Sequence, residues 1–287
     1  MGLRDTAIRP ADFDITCETH WRELLPDLTI GASQDVSEIE FSPHQLDEIA
    51  DAFWETGYLC VPPVLTEVEI RPLRQAMGVL RTQALPPVYI YLFDQPWQLF
   101  ARLRPLLRHF LGDQFAVLPN LWAWHLAAPG DRGWPLHRDC DAETVFNIGP
   151  DQLLMSLSLW LPLTDVDVDN GCMFILPRSK MSGYSSVGSD KDIRGEDKVA
   201  LPAASGSVLG WAQDVYHWGG PYSAQAKNPR ISLSLEFQNC AFDPLIEPLL
   251  DMSALPSFGE RLALIEGQFD KYRHINPGAD LTQISER

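Results

Sequence analysis

The sequence predicts a mainly β protein with a helical front, and three observations carry that reading. Apolar residues recur at helical spacing up to about residue 113. From 114 to 240 the chain changes to short β-branched and aromatic runs broken by Gly, Pro, Asn and Asp. Two of those runs alternate with a period of two, which is the mark of strands with two unlike faces.

Residues 1–41 read as an arm that packs against a domain, polar and aperiodic apart from the patch Trp21 to Leu28. Ordered structure is expected to begin near Ser42. Ser42-Pro43-His44-Gln45 is a helix start: the serine accepts from a free backbone N–H, proline suits the first turn and glutamine reaches back. Leu46, Ile49, Ala50, Phe53 and Trp54 then form one apolar face, and Gly57 stops the helix. Tyr58 to Val61 reads as a short strand, and Thr66 to Glu69 as a second capping box opening a helix through Ile70, Leu73, Met77 and Leu80. A third helical stretch is expected from Pro96 to Phe110.

The expected strands are Phe115 to Leu126, interrupted at Pro119-Asn120, then Leu153 to Leu161, Cys172 to Leu176, Ser207 to Gln213 and Ile231 to Gln238. In Leu153 to Leu161 and Ile231 to Leu235 one face is largely small and hydroxylic and the other aliphatic. One side therefore meets a core while the other lines a polar cavity. Met181 to Ser205 reads as a long loop or lid, and Phe258 to Tyr272 as a closing helix in a C-terminal segment, 241–287. Residues 42–287 are thus expected to form a single domain: a helical front (42–113), a β core (114–240) and the C-terminal segment.

A formal net charge of -17 sets a field that repels nucleic acid and anionic membranes, so a small-molecule partner is expected. Five scattered cysteines without a Cys-x-x-Cys pair argue against a disulfide framework and fit a reducing cytoplasm. No run reaches the roughly 20 apolar residues of a membrane span, and the start lacks the apolar core of a signal peptide. Met1-Gly2 to Thr6 matches a myristoylation pattern short enough to arise by chance.

The chemistry concentrates in Pro135-Leu136-His137-Arg138-Asp139. On an extended backbone His137 and Asp139 leave the same face, so one ion can take both. Among the other histidines, His44 lies in a helix cap, His20 and His274 in polar terminal stretches, and His109 on a helix. His125 lies on a strand and is kept as a substrate contact. His217 closes an apolar strand before a glycine turn and is the best third ligand. Two imidazoles and a carboxylate on one face of an octahedron leave three positions open, a set that suits ferrous iron. Thirteen residues further on, Arg230 opens an alternating strand with Ser232 and Ser234 on its face. Burying an arginine there calls for an anion, and a carboxylate matches its two-pronged geometry.

His-x-Asp, a later His and an Arg beyond it resemble the iron(II)/2-oxoglutarate-dependent dioxygenases, most closely the phytanoyl-CoA dioxygenase family. Leu159-Trp160-Leu161-Pro162-Leu163-Thr164-Asp165-Val166, Asn170-Gly171-Cys172-Met173 and Leu176-Pro177-Arg178-Ser179-Lys180 extend the resemblance, as does Gly57-Tyr58 after its helix, over roughly residues 42–240. The resemblance implies a double-stranded β-helix, or cupin-like jelly roll, with iron held by His137, Asp139 and His217. It implies 2-oxoglutarate held by Arg230, with Ser232 or Ser223 as hydroxyl helpers and Trp160 packed along it. Dioxygen would be the other co-substrate, and 2-oxoglutarate would leave as succinate. Gly219 departs from the family pattern, in which a hydroxyl residue often follows the distal histidine. Asp139 fills the position whose loss admits a halide, so hydroxylation is the implied outcome.

The substrate is expected to be a small apolar or ring-containing metabolite, since Trp122, Trp124, Trp134, Trp211 and Trp218 fall near the implied mouth. Arg138, Arg178 and Lys180 are candidates to read a substrate carboxylate. Desaturation, epoxidation or cyclisation on the same centre is the nearest alternative. A metal-binding jelly roll without turnover is the alternative of another class, and a zinc hydrolase is disfavoured because no general base adjoins the metal motif.

Overall fold

The computed structural model describes residues 13–32, 36–149, 151–184 and 187–272, so His274 and the Met1 to Thr6 pattern lie outside the described residues. Its first helix comes earlier than expected, as α1 (Glu18–Leu24), with Trp21 fully buried. The reason lies in Asp94, a carboxylate with no exposed surface. It accepts from Thr29 Oγ1 (2.8 Å), Gly31 N (2.9 Å) and Ala32 N (3.0 Å), and pairs with Arg261 Nη2 (2.7 Å). A buried carboxylate must be satisfied on every side, so residues 29–32 are drawn onto it.

The next elements follow their local signals. In α2 (Pro43–Thr56) Ser42 and Gln45 form the expected capping box, and Gly57 ends the helix at φ 84. Strand β1 (Tyr58–Val61) leads to α3 (Glu67–Thr82), capped by Thr66 and Glu69. After a 3-10 turn (Pro87–Leu92), the single helix expected from Pro96 is instead two, α4 (Asp94–Ala101) and α5 (Arg104–Leu111). Pro105 occupies the first turn of the second, where its missing N–H costs nothing.

The β region forms β2 (Phe115–Leu126), β3 (Val145–Ile148), β4 (Asp151–Leu154), β5 (Ser156–Pro162), β6 (Met173–Ile175), β7 (Val199–Leu201), β8 (Val208–Ala212), β9 (His217–Gly219) and β10 (Arg230–Asn239). The short helix α6 (Arg178–Met181) follows β6, and α7 (Phe258–Tyr272) closes the described chain. The order β1-β8-β5-β10-β2 makes an antiparallel major sheet, and β7-β6-β9 a minor one. This is a jelly roll with flanking helices.

Alternation places Leu157, Leu159 and Leu161 of β5, with Leu233, Leu235 and Phe237 of β10, on the fully buried face. Ser158, Trp160, Arg230, Ser234 and Glu236 point the other way, into a chamber between the sheets. Expected Leu153 to Leu161 is split at Met155, whose N–H bonds Thr144 O while its carbonyl accepts from Asn239 N. The interruption expected at Pro119-Asn120 is a bulge inside one continuous strand: Leu235 faces Leu121 while Phe237 faces Val117. Proline cannot donate to the ladder, and the slack is taken up there. Met181 to Ser205 is more structured than a bare loop, carrying β7 and two short 3-10 turns.

Candidate metal centre

The site starts from two short pieces of backbone that pair with each other. His137 and His217 form an antiparallel bridge, His137 N donating to His217 O (3.1 Å) and His217 N to His137 O (3.0 Å). Each histidine turns in the same manner, with Nδ1 facing a carbonyl two residues back, Pro135 O for His137 (2.8 Å) and Val215 O for His217 (3.0 Å). A carbonyl only accepts, so Nδ1 carries the proton and Nε2 presents its lone pair. Both Nε2 atoms converge on Asp139 Oδ1, at 3.3 Å and 3.5 Å. The three donor atoms lie within 4.8 Å of one another, close enough to share one ion.

The other oxygen of Asp139 is fixed by the sheet. Ser158 Oγ donates to Oδ2 at 2.6 Å and Trp211 Nε1 at 3.0 Å. Gln213 Nε2 donates to Ser158 Oγ (3.2 Å) and to Glu236 Oε2 (2.8 Å). Asn120 Nδ2 donates to the other Glu236 oxygen, and Tyr272 Oη donates to Asn120 Oδ1 (2.8 Å). A continuous chain thus runs from the carboxylate to α7, leaving only Oδ1 free for a metal.

Electrostatics separate the two imidazoles. Burial brings His217 down to about 4, so it stays neutral near neutral pH. Burial also disfavours charge on His137, yet the hydrogen bond and charge of Asp139 outweigh it and hold His137 above the ordinary histidine range. For Asp139 burial alone would favour the neutral acid, but His217, His137 and Ser158 hold it well below the usual carboxylate range. Burial, reinforced by the charge of Asp139, pushes Glu236 well above its ordinary value.

Arg230 lies on the same inner face, 1% exposed, and burial lowers it to about 10. Nη1 donates to Gly171 O (2.7 Å), so the Asn170-Gly171 turn read in the sequence orients it. Its guanidinium carbon stands 5.6 Å from the Trp124 ring and 5.5 Å from the Trp160 ring. Arg230 Nε, Trp160 Nε1 and Ser232 Oγ are buried without a hydrogen-bond partner. Orphaned donors around a buried cation are what a carboxylate ligand would satisfy, so these residues fit 2-oxoglutarate. A Cβ on Gly219 would lie 2.8 Å from Gly133 Cα and 2.9 Å from Arg230 Nη1. The hydroxyl residue common in the family does not fit at 219 unless both the Gly133 backbone and the arginine move.

Two chambers meet here. An inner one of about 40 Å³ is lined by His137, Asp139, His217, Ser158, Trp160 and Arg230. An outer one of about 800 Å³ shares Trp122, Trp124, Trp134 and Gly219 with it. Trp218 lines the outer chamber and Trp211 the inner, so all five tryptophans expected near the mouth are there. His125 lines the outer chamber with Nδ1 against Met77 O (3.1 Å), while His20, His44 and His109 stand elsewhere.

The other candidates part company with the sequence reading. Neither serine expected beside Arg230 lines a chamber: Ser223 Oγ accepts from Gln225 N (3.1 Å), whereas Ser232 is fully buried on the Arg230 side of β10 with its hydroxyl unpartnered. Arg138, Arg178 and Lys180 are engaged with Asp141 (3.0 Å), Asp214 (2.6 Å) and Asp197 (3.9 Å), and none lines a chamber. Acidic neighbours close in space claim them. Sequence reasoning missed Ser158, Gln213, Glu236 and Asn120; extending the period-two face beyond Ser234 would have reached Glu236.

A jelly roll with two imidazoles and a carboxylate at one mouth and a buried arginine behind them has the architecture of a non-haem iron- and 2-oxoglutarate-dependent oxygenase. The family model described as phytanoyl-CoA dioxygenase (PhyH) matches residues 90–230, a stretch that includes His137, Asp139, His217 and Arg230. No curated protein matches the sequence. Among solved structures, the non-haem monooxygenase ThoJ in its apo form aligns with TM-score 0.58 at 16% identity, over 76% of this chain and 94% of that one. HygX from Streptomyces hygroscopicus with nickel and 2-oxoglutarate bound gives 0.53 at 14%, over 71% and 89%. The epimerase SnoN in complex with Fe3+, alpha ketoglutarate and nogalamycin RO gives 0.51 at 19%, over 69% and 85%. Such likeness establishes a shared fold. No helix among the described residues is long and apolar enough to cross a membrane.

Proposed function

We propose that His137, Asp139 and His217 hold ferrous iron, that Arg230 anchors the distal carboxylate of 2-oxoglutarate, and that the enzyme hydroxylates a C–H bond of a small ring-containing metabolite. The observation that carries this reading is the convergence of both Nε2 atoms on Asp139 Oδ1 while Oδ2 is held by Ser158 and Trp211. When bound, iron with 2-oxoglutarate supplies the oxidising power: one atom of dioxygen leaves in succinate and the other enters the substrate. Arg230, Trp160 and Ser232 orient the co-substrate. The tryptophan walls hold the substrate and exclude water.

The catalytic unit is residues 42–287 and 1–41 an N-terminal arm, whose described residues include the buried Trp21, Leu24 and Leu25. Five free thiols support a cytoplasmic setting. A small-molecule substrate is in keeping with SnoN and HygX, which are described with nogalamycin RO and hygromycin B.

Asp139→Ala tests the centre. Succinate formation that depends on added iron is expected to fall by more than about a hundredfold, because losing a ligand exceeds losing its outer partners. Undiminished succinate release would overturn the assignment. A substrate product heavier by one oxygen identifies hydroxylation; a product two hydrogens lighter identifies desaturation or ring closure.

A further inference from the structure

The outer chamber carries information that the metal centre does not. Its walls are aromatic: Trp122, Trp124, Trp134, Trp218 and Phe269 all line it. Trp134 meets Trp122 at 5.3 Å and Trp124 at 6.4 Å between centroids, inclined by 60° and 82°. Such a corner offers ring faces and edges together, which suits a flat ring better than a flexible chain. Trp124 Nε1 is buried without an acceptor, so an oxygen on that ring would have a donor waiting.

Charge around this chamber is sparse and mostly cancelled. Arg81 donates to His125 O (2.9 Å) and pairs with Asp131 (3.3 Å). Asp131 in turn accepts from Ala127 N (2.9 Å) and Ala128 N (3.0 Å). Asp190 lies 4.0 Å from Lys198, and burial lowers His125 below the ordinary histidine range. Arg132 differs: it is exposed, lines the chamber, and makes no ion pair or hydrogen bond through its side chain among the described residues. One cation is therefore left uncompensated at the rim, in a chain of net charge -17.

Resting on the oxygenase reading above, we propose that the substrate is a ring-bearing molecule with a single carboxylate, its ring against the tryptophan corner and its carboxylate at Arg132, and that it is not a coenzyme A thioester. A thioester of that kind brings several phosphate charges. One free arginine cannot balance them inside an acidic field. A lone carboxylate matches both the number and the geometry of the cation.

Three probes that share one ring separate the possibilities: 2-naphthoate, 2-naphthamide and 2-naphthoyl-coenzyme A. Their affinities are measured by calorimetry on the metal-free full chain and on Arg132→Gln. 2-Naphthoate should bind about fivefold more tightly than the amide, as a partly exposed ion pair allows. The thioester should bind no better than the amide. In Arg132→Gln the carboxylate's advantage should vanish while amide affinity stays the same, which also shows that the variant folds. Tightest binding of the thioester, a carboxylate advantage that survives in Arg132→Gln, or no binding of any probe would overturn the proposal. Iron titrations of the same two proteins read the metal centre separately. Ring binding without a specific iron site would sink the oxygenase reading and spare the pocket, and the reverse result would sink the pocket alone.

Discussion

The inner and outer chambers share a wall yet are built in opposite ways. The inner one, about 40 Å³, is lined by β2, β5, β6, β8, β9 and β10 together with His137 and Asp139 of the segment that follows β2, and its side chains are tied by hydrogen bonds running from Asp139 to Tyr272. The outer one, about 800 Å³, draws on connecting segments such as 84–87, 132–136 and 188–190. Strands hold geometry to a fraction of an ångström, whereas loops can change without disturbing the frame. On the proposed function, reaction chemistry sits in the first and substrate choice in the second.

Arg230→Ala should break the inner chamber hardest after loss of a ligand. It removes a charge-assisted two-pronged contact worth about 2–3 kcal/mol. The concentration of 2-oxoglutarate that half-saturates succinate formation should therefore rise about a hundredfold. An unchanged requirement would put the anchor elsewhere and dissolve the distinction between the chambers.

Ser158→Ala is the next step down. It removes one of two donors that hold Asp139 Oδ2, and the loss of such an outer partner costs about thirtyfold in metal affinity. Trp218→Phe, on the outer wall, should leave metal affinity unchanged while weakening substrate binding. If both variants weaken metal equally, the two regions are not separable in the way their construction implies.

Legibility in the sequence follows the same division. Helices were readable from their caps at Ser42 and Thr66, and the long strands from alternation, because both signals are local. The metal triad was readable because the spacing of His137 and Asp139 is itself a geometric statement. Three-residue strands such as β7 and β9 were not, since a period of two cannot show itself in three residues. Arg178 and Lys180 looked free because their acidic partners are fixed by the fold, Asp214 lying 36 residues from Arg178, whereas Arg138 pairs locally with Asp141, three residues on. Arg132 was passed over for the converse reason: nothing in the chain announces a side chain left without a partner.

The boundary between the chambers runs through the ligand set, and pH can expose it. His137 is half-buried with Trp134 5.4 Å from its ring, whereas His217 is 3% exposed behind it. Metal binding requires both imidazoles neutral. His137 sits above 6.5 in the metal-free protein, so lowering pH through that range protonates it and competes with the metal. His217 is already neutral and stays so until about pH 4. Affinity should consequently fall about tenfold per pH unit below 6.5, one proton displaced per ion, and steepen to two only near pH 4. Competition titrations with a metal-sensitive dye at a series of pH values measure that slope. A slope of two already at pH 6 would mean that the two histidines are equivalent, and that Asp139 does not favour His137 over its buried partner.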